Sequence, residues 1–314
     1  MTILVAADFD DAEWARWWPL LQAAFARDTL VRAGASLRAQ DVDVAVVANP
    51  PPGSLAGLPN LRLIQSLWAG VDRLLGDVTI APDVALARMV DPLMNEAMAQ
   101  TALWAVLSLH RGFFRYVAAQ RRAQWLPEPA CRADEVEVAV LGLGQMGQAV
   151  ARRLSASGYR VCGWRRLPVE VAGLPGVAQC SGLPALDPML ARAHVVVNLL
   201  PLTPDTEGLF DAGRFARMRR GAGFVHLGRG AQVVEADLLD ALDRARLGHA
   251  VLDVYATEPL PAAHPFWSHP AITVLPHVAA PTDPRSAVAI AAHNVAAWRA
   301  GEPLRDQVDR TRGY

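Results

Sequence analysis

Short apolar, β-branched runs alternate along the chain with longer segments of helical character. Ile3–Ala6, Val42–Val47 and Leu63–Ser66 predict strands, each bounded by polar or turn residues. Between the first two lies Asp11–Arg27, rich in Trp, Ala, Leu and Arg, which predicts a helix, and Pro50-Pro51-Pro52-Gly53 is a loop. Strand, helix, strand, loop, strand is the order of a parallel sheet with crossover connections, here ending near Arg88–Pro92. Residues 95–120 predict one long helical segment with Ala99, Leu103, Val106, Leu107 and Phe114 apolar, and Pro127 and Pro129 break the chain after it. A second series of strands follows at Val136–Leu141, Val161–Trp164, Val195–Leu200, Gly223–Leu227, Ala250–Val254 and Ile272–Leu275, with helices at Met146–Ser157 and Glu235–Leu247 among them. Continuous apolar runs such as Val195-Val196-Val197 fit a sheet covered on both faces. A last helix is predicted at Arg285–Arg299, after Pro281 and Pro284.

Composition narrows the class. A chain of 314 residues makes roughly two domains, and a 52% hydrophobic share against 19% charged excludes a disordered polymer. The formal net charge is −1, with no basic stripe, so no nucleic-acid partner is expected. The amino-terminal residues lack a basic region and reach Asp8 early, and the apolar stretch Ala97–Leu109 is interrupted by Gln100 and Thr101. Neither reads as a signal peptide or a membrane span, so a cytoplasmic protein without a membrane partner is expected. All 30 basic residues are Arg, which removes Schiff-base chemistry, a lysine base and the Walker A lysine together. Cys131, Cys162 and Cys180 form no C-x-x-C pair and read as small side chains in a reducing compartment. His194, His249, His264, His269 and His293 stand at no metal-ligand spacing, so no metal is expected. Trp14, Trp17 and Trp18 fall at helical spacing and read as packing residues.

One turn carries a specific signal. Val138–Leu141 runs into Gly142-Leu143-Gly144-Gln145-Met146-Gly147, a G-x-G-x-x-G turn, and Met146, Val150 and Leu154 then form an apolar helical stripe. Gly158 ends that helix, and Tyr159–Trp164 predicts the next strand, completing a βαβ unit. In such a unit Gly142 permits the tight turn, Gly144 lets the backbone approach a pyrophosphate, and Gly147 allows the helix to pack close, with Gln145 and Met146 at the helix start. An NAD site usually carries Asp or Glu at the end of the second strand; here stand Trp164, Arg165 and Arg166, with no carboxylate until Glu170. Guanidinium groups suit a 2′-phosphate, so NADP(H) is expected in preference to NAD(H).

Three further segments end strands of the second series: Phe224–Gly230, Leu252–Pro261 and Leu275–Pro281. They bring Arg229, Glu258 and His277 to strand ends, where open α/β sheets bind ligands. Together with Ser66–Asp72, the glycine turn, Asn198–Thr206 and the terminal Gln307–Tyr314, they resemble the D-2-hydroxyacid dehydrogenase family, most closely its glyoxylate/hydroxypyruvate reductase A type. The resemblance implies an α/β fold of two lobes, a Rossmann-type dinucleotide-binding domain (99–283) inserted into a flavodoxin-like substrate domain (1–98 plus 284–314). It implies that His277 protonates a carbonyl oxygen, that Glu258 supports its imidazolium, and that Arg229 binds a substrate carboxylate. It adds Trp68, Ala69, Gly70 and Val71 as a second substrate loop, Asp253 as acceptor for the nicotinamide carboxamide, and Leu200, Pro201, Leu227, Gly228 and Ala279 along the cofactor. A bulky Trp68 would restrict the site to short substrates. The chain departs from the family pattern at His226, where many members have Asn, at Gln100, where many have Glu, and at Trp164, where a small hydroxyl is usual.

The implied function is NADPH-dependent reduction of small 2-oxo acids such as glyoxylate and hydroxypyruvate to glycolate and D-glycerate, by a homodimer. Rival readings are a non-catalytic dinucleotide sensor on the same fold, an NAD-dependent dehydrogenase for a larger keto acid, and an S-adenosylmethionine methyltransferase. The last wants an acid where this chain has Arg165 and Arg166.

Overall fold

The computed structural model describes residues 1–129, 131–168 and 171–313; Glu170 and Tyr314 lie outside the described residues. Two compact units emerge, one formed by Met1–Met94 with Thr282–Tyr314 and the other by Asn95–Pro281. Each is an α/β unit built on a parallel sheet.

The first unit holds β1 (Thr2–Ala7), β2 (Thr29–Arg32), β3 (Val42–Ala48), β4 (Leu63–Ser66) and β5 (Ala85–Ala87). Their order in the sheet is β2-β1-β3-β4-β5, the flavodoxin-like arrangement. The helix Asp11–Ala24 begins with a reciprocal cap: Asp10 accepts from the Glu13 N–H at 2.8 Å and Glu13 accepts from the Asp10 N–H at 3.0 Å. The carboxyl-terminal helix Pro284–Arg299 returns to this unit. Asn294 donates to the buried Gln65 of β4 at 2.9 Å, and Arg299 bridges Asp28 and Asp43.

The second unit holds β6 (Glu137–Leu141), β7 (Arg160–Arg165), β8 (Val177–Ser181), β9 (Val195–Asn198), β10 (Ala222–His226), β11 (Leu247–Leu252) and β12 (Ile272–Val274). Their order is β12-β11-β10-β9-β6-β7-β8, the Rossmann arrangement with one strand added at the β12 edge. Apolar residues on both faces of these strands are buried. Ala139, Leu141 and Val196 pack into one core with Leu186, Phe215 and Leu238, while Val138, Val140, Val195 and Val197 pack into another with Ala102, Val106 and Val150. Burial on both faces is the physical reason for the unbroken Val run.

The strands β2, β5 and β8 are absent from the sequence expectation because each is short or polar and lies at or near a sheet edge. The single helix expected over 95–120 is two, Pro92–His110 and Phe113–Arg121. Gly112, at φ +67°, occupies the left-handed region between them and breaks the helical hydrogen-bond ladder. Trp17 is buried in the first unit, while Trp14 and Trp18 are half-buried and enclose the Arg32 guanidinium at 4.3 and 4.4 Å. No helix among the described residues is long and apolar enough to cross a membrane.

Candidate active site

All seven strands of the second sheet point their carboxyl ends to one edge. Between β6 and β9, adjacent in space but not in sequence, the connections depart in opposite directions, which is where such sheets open a crevice. The glycine turn follows β6, Leu200 and Pro201 follow β9, and Arg229, Glu258 and His277 follow β10, β11 and β12. From β12 to β6 is four inter-strand steps, roughly 19 Å at about 4.8 Å each.

The turn leaves no room for side chains where the backbone closes. Gly142 sits at φ +96°, and a Cβ there would lie 2.8 Å from the Leu199 carbonyl oxygen. A Cβ on Gly147 would lie 1.7 Å from the Gly142 oxygen, so the helix Gln145–Ala156 rests directly on the turn. At Gly144, by contrast, a Cβ would meet nothing within 4 Å. Backbone facing open space at the start of a helix fits a pyrophosphate, because the first N–H groups have no partner within the helix. These residues therefore fit a dinucleotide.

Arg165 ends β7, and Arg166, just beyond it, forms an ion pair with Asp205. That pair is largely exposed, so its contribution to stability is small and a phosphate can compete for the guanidinium. The Trp164 indole lies in the core and donates through Nε1 to the Gly182 carbonyl at 2.9 Å. Its main-chain carbonyl accepts the Gly142 N–H at 2.9 Å, so Trp164 braces the glycine turn while its indole packs inside. The side chains of Leu200, Leu227 and Ala279 are buried too.

Glu258 and His277 meet. His277 Nδ1 donates to Glu258 Oε2 at 2.7 Å, and Glu258 Oε1 accepts the Tyr255 N–H at 3.0 Å. Among the described residues no partner takes His277 Nε2, and the imidazole is half exposed. The hydrogen bond to Glu258 raises the His277 pKa above the usual histidine value, against partial burial and the nearby positive charge of Arg229. Burial pushes the Glu258 carboxyl upward, but the bonds from His277 and Tyr255, with the charges of His277 and Arg229, bring it below its ordinary value. Arg229 thus lies within electrostatic range of both partners, and its Nη1 donates to the Gly228 carbonyl at 2.8 Å.

Several residues outside the sequence-derived set hold these loops together. A Cβ on Gly230 would lie 1.8 Å from the Tyr255 carbonyl carbon, so the loop bearing Arg229 packs main chain to main chain on the loop bearing Glu258. The Tyr255 hydroxyl contacts the carbonyls of Leu252 at 2.7 Å and Leu275 at 2.9 Å, tying the ends of β11 and β12. Glu235 accepts the Ala256 N–H at 3.2 Å and braces the same loop. His277 itself has φ +54°, a conformation that costs a non-glycine residue about 1 kcal/mol or more. It is held there by Asp253, whose two oxygens accept the N–H groups of Val278 at 2.7 Å and Ala279 at 3.0 Å. Thr101 adds a bond to the Ala279 carbonyl at 3.0 Å. Asp253, which the resemblance implies as an acceptor for a cofactor amide, clamps the His277 loop. Its position between β11 and Glu258 was legible; the contacts of Tyr255 and Gly230 had no sequence signal.

Trp68, Ala69, Gly70 and Val71 lie in the first unit, after β4. The Trp68 N–H donates to Ser66 Oγ at 3.0 Å and its carbonyl accepts the Met89 N–H at 3.0 Å, so its main chain is occupied. Its indole stands edge-on to Trp17 at 5.6 Å and Phe9 at 6.1 Å. Among the described residues, no acceptor faces the N–H groups of Ala69, Gly70 or Val71.

Comparison with known proteins bears on this arrangement. Residues 103–279 match the family model described as D-isomer specific 2-hydroxyacid dehydrogenase, NAD binding domain. Proteins named Glyoxylate/hydroxypyruvate reductase A from Serratia proteamaculans and Escherichia fergusonii are each 38% identical over 277 residues, covering 87% of this chain and 88% of the relative. A D-isomer specific 2-hydroxyacid dehydrogenase from Xanthobacter autotrophicus Py2, solved in complex with NADPH and MES, superposes with a TM-score of 0.93 at 38% identity, over 100% of this chain and 99% of that one. An NADPH-dependent glyoxylate/hydroxypyruvate reductase from Sinorhizobium meliloti, solved with NADP and sulfate, gives a TM-score of 0.91 at 34% identity with the same coverage.

Proposed function

The chain belongs to the D-isomer specific 2-hydroxyacid dehydrogenase family, and from that premise we propose that it reduces small 2-oxo acids, glyoxylate and hydroxypyruvate first among them, to glycolate and D-glycerate. NADPH is the preferred reductant and NADH the weaker one, in keeping with the relatives solved with NADPH or NADP and with Arg165 and Arg166 at the end of β7. The observation that carries the reading is the 2.7 Å bond from His277 Nδ1 to Glu258 Oε2, with His277 Nε2 left for a ligand.

Bound at the glycine turn and along the carboxyl edge of the sheet, NADPH supplies the hydride. The residues of the chain do the rest. Arg229 receives the substrate carboxylate, where a planar two-pronged donor matches two oxygens. His277, kept protonated by Glu258, gives its Nε2 proton to the keto oxygen as the C–H bond forms, so the carbonyl becomes a hydroxyl and the imidazolium becomes neutral imidazole. Glu258 stabilises the charged ring beforehand and fixes its tautomer afterwards. The Gly228 carbonyl, through its bond from Arg229 Nη1, orients the guanidinium.

The same proposal includes a cytoplasmic homodimer. Trp104, Leu107, Phe113, Tyr116 and Val117 are exposed on the helices Pro92–His110 and Phe113–Arg121, an apolar surface of the kind self-association covers. Light scattering reads the mass, and cell fractionation the location. The activity is tested with a kinetic panel of NADPH and NADH against glyoxylate, hydroxypyruvate, pyruvate and bulkier keto acids. Oxidation of NADPH by glyoxylate and hydroxypyruvate, at the highest kcat/KM of the panel, is the expected result. Tight NADPH binding with no turnover on any acid overturns it.

A further inference from the structure

Beneath the loop that carries Arg229 lies a group of polar side chains that the proposed reaction does not use. Asn198, His226 and Gln232 are 0%, 1% and 0% exposed. Buried polar groups are costly unless their hydrogen bonds are made, and here they are made completely. Gln232 Oε1 accepts from Asn198 Nδ2 at 2.8 Å and from the Arg229 N–H at 3.1 Å, while its Nε2 donates to the carbonyls of Leu200 at 3.1 Å and Pro201 at 2.9 Å. The second hydrogen of Asn198 Nδ2 points to His226 Nδ1 at 3.1 Å. An amide nitrogen only donates, so His226 Nδ1 accepts, the ring proton is on Nε2, and Nε2 donates to the Arg229 carbonyl at 3.0 Å. Burial favours this neutral ring, pushing the His226 pKa down to about 4. Space is as constrained as bonding: a Cβ on Gly228 would lie 2.4 Å from Gln232 Oε1.

Both main-chain polar groups of Arg229 are therefore gripped from below: its N–H by Gln232 Oε1, and its carbonyl by His226 Nε2 together with the Gln232 N–H, each at 3.0 Å. We propose that His226 is a positioning residue for Arg229, its Nε2–H fixing the main chain from which the guanidinium reaches the substrate carboxylate. The inference rests on the role given to Arg229 above. The network also divides its work. His226 holds only Arg229, whereas Gln232 holds both Arg229 and the Leu200–Pro201 segment beside the glycine turn. Loss of His226 is thus a defect in handling the 2-oxo acid, and loss of Gln232 a defect in handling both ligands.

The test compares His226→Leu, His226→Gln, Gln232→Leu and Arg229→Ala with the unaltered enzyme, reading glyoxylate kinetics across pH and NADPH affinity by fluorescence titration. Losing a bond to a buried carbonyl predicts a KM for glyoxylate raised roughly 10-fold in His226→Leu, with NADPH affinity within about 3-fold and the basic limb of the pH profile unmoved. His226→Gln, which offers an acceptor and a donor, restores most of the loss, and Gln232→Leu weakens both ligands. If His226→Leu does not fold, His226→Asn, too short to span from Asn198 to the Arg229 carbonyl, carries the same expectation. The inference is overturned if the His226 variants keep the original KM for glyoxylate, or if KM, NADPH affinity and the pH limb all shift together as in general loosening. Unimpaired turnover in Arg229→Ala would instead remove the reading on which the inference stands. An inactive Arg229→Ala beside kinetically unchanged His226 variants removes the inference alone.

Discussion

Two histidines stand at the carboxyl ends of β10 and β12, with β11 between them in the sheet, and their environments are opposite. His277, beyond β12, is half exposed, bonded to a carboxylate and biased toward the charged form. His226, the last residue of β10, is buried, bonded to an amide and a carbonyl, and biased toward the neutral form. The residue type is the same, and the environment alone separates a ring biased toward its charged form from one biased toward its neutral form. A carboxylate partner gives a ring a reason to hold a proton at neutral pH; burial among neutral dipoles takes that reason away.

The strongest way to break the contrast is to remove the ring biased toward charge. His277→Ala should lower kcat by about 10²-fold or more if the ring is the general acid. Near-normal turnover would return His277 to the status of a surface residue. The sign of its pH dependence follows from the raised pKa: the protonated, active form is present below that pKa and is lost as pH rises through it, so the basic limb should lie above the ordinary value near 6.5. Glu258→Gln removes the first cause of the shift, and the limb should then move toward acid.

The buried ring makes the opposite prediction, in stability. Its folded pKa of about 4 lies below an unfolded value of about 6.5. Between those values the unfolded chain takes up a proton that the folded chain refuses, so stability falls as pH drops through the window, by about 3 kcal/mol from this group when the drop is complete. Urea unfolding at pH 7 and pH 4.5 checks it: the loss on acidification should be smaller in His226→Gln. An identical acid loss in both proteins would mean that His226 is not held neutral.

A smaller effect should leave both histidines untouched. Arg165→Ala combined with Arg166→Ala should raise KM for NADPH roughly 10-fold and change KM for NADH little, because a guanidinium–phosphate bond is charge-assisted. Equal effects on the two cofactors would defeat the phosphate assignment, and a moved pH limb would show that the two ends of the sheet edge are coupled. The smallest expected change is in Trp68→Ala, where turnover of bulkier keto acids should improve a few-fold relative to glyoxylate. An unchanged substrate profile would leave Trp68 as a packing partner of Trp17 and Phe9.

Much of this architecture is legible in the chain because it depends on local pattern. The Val195-Val196-Val197 run marks a doubly covered strand, and Gly142-x-Gly144-x-x-Gly147 between a strand and an apolar helical stripe marks a dinucleotide turn. Edge strands such as Thr29–Arg32 and Ala85–Ala87 left no such mark, since the first is partly exposed and the second, though mostly buried, is only three residues long. Trp164 illustrates the converse: adjacent to two arginines it read as a ligand contact, but the alternation of β7 turns its indole into the core.

The amino-acid sequence by itself determined the two parallel sheets, the glycine turn and the identity of Arg229, Glu258 and His277 as candidates, because periodicity and backbone permissiveness are local properties. Only the tertiary structure decided that Asp253 clamps the His277 loop, that Gly230 lies against Tyr255, and that His226 is buried and biased toward neutrality while His277 favours a proton. Those outcomes depend on burial and on partners such as Asn198 and Glu258, which stand 28 and 19 residues away from the rings they govern. A side chain's charge is set by whatever folding brings beside it.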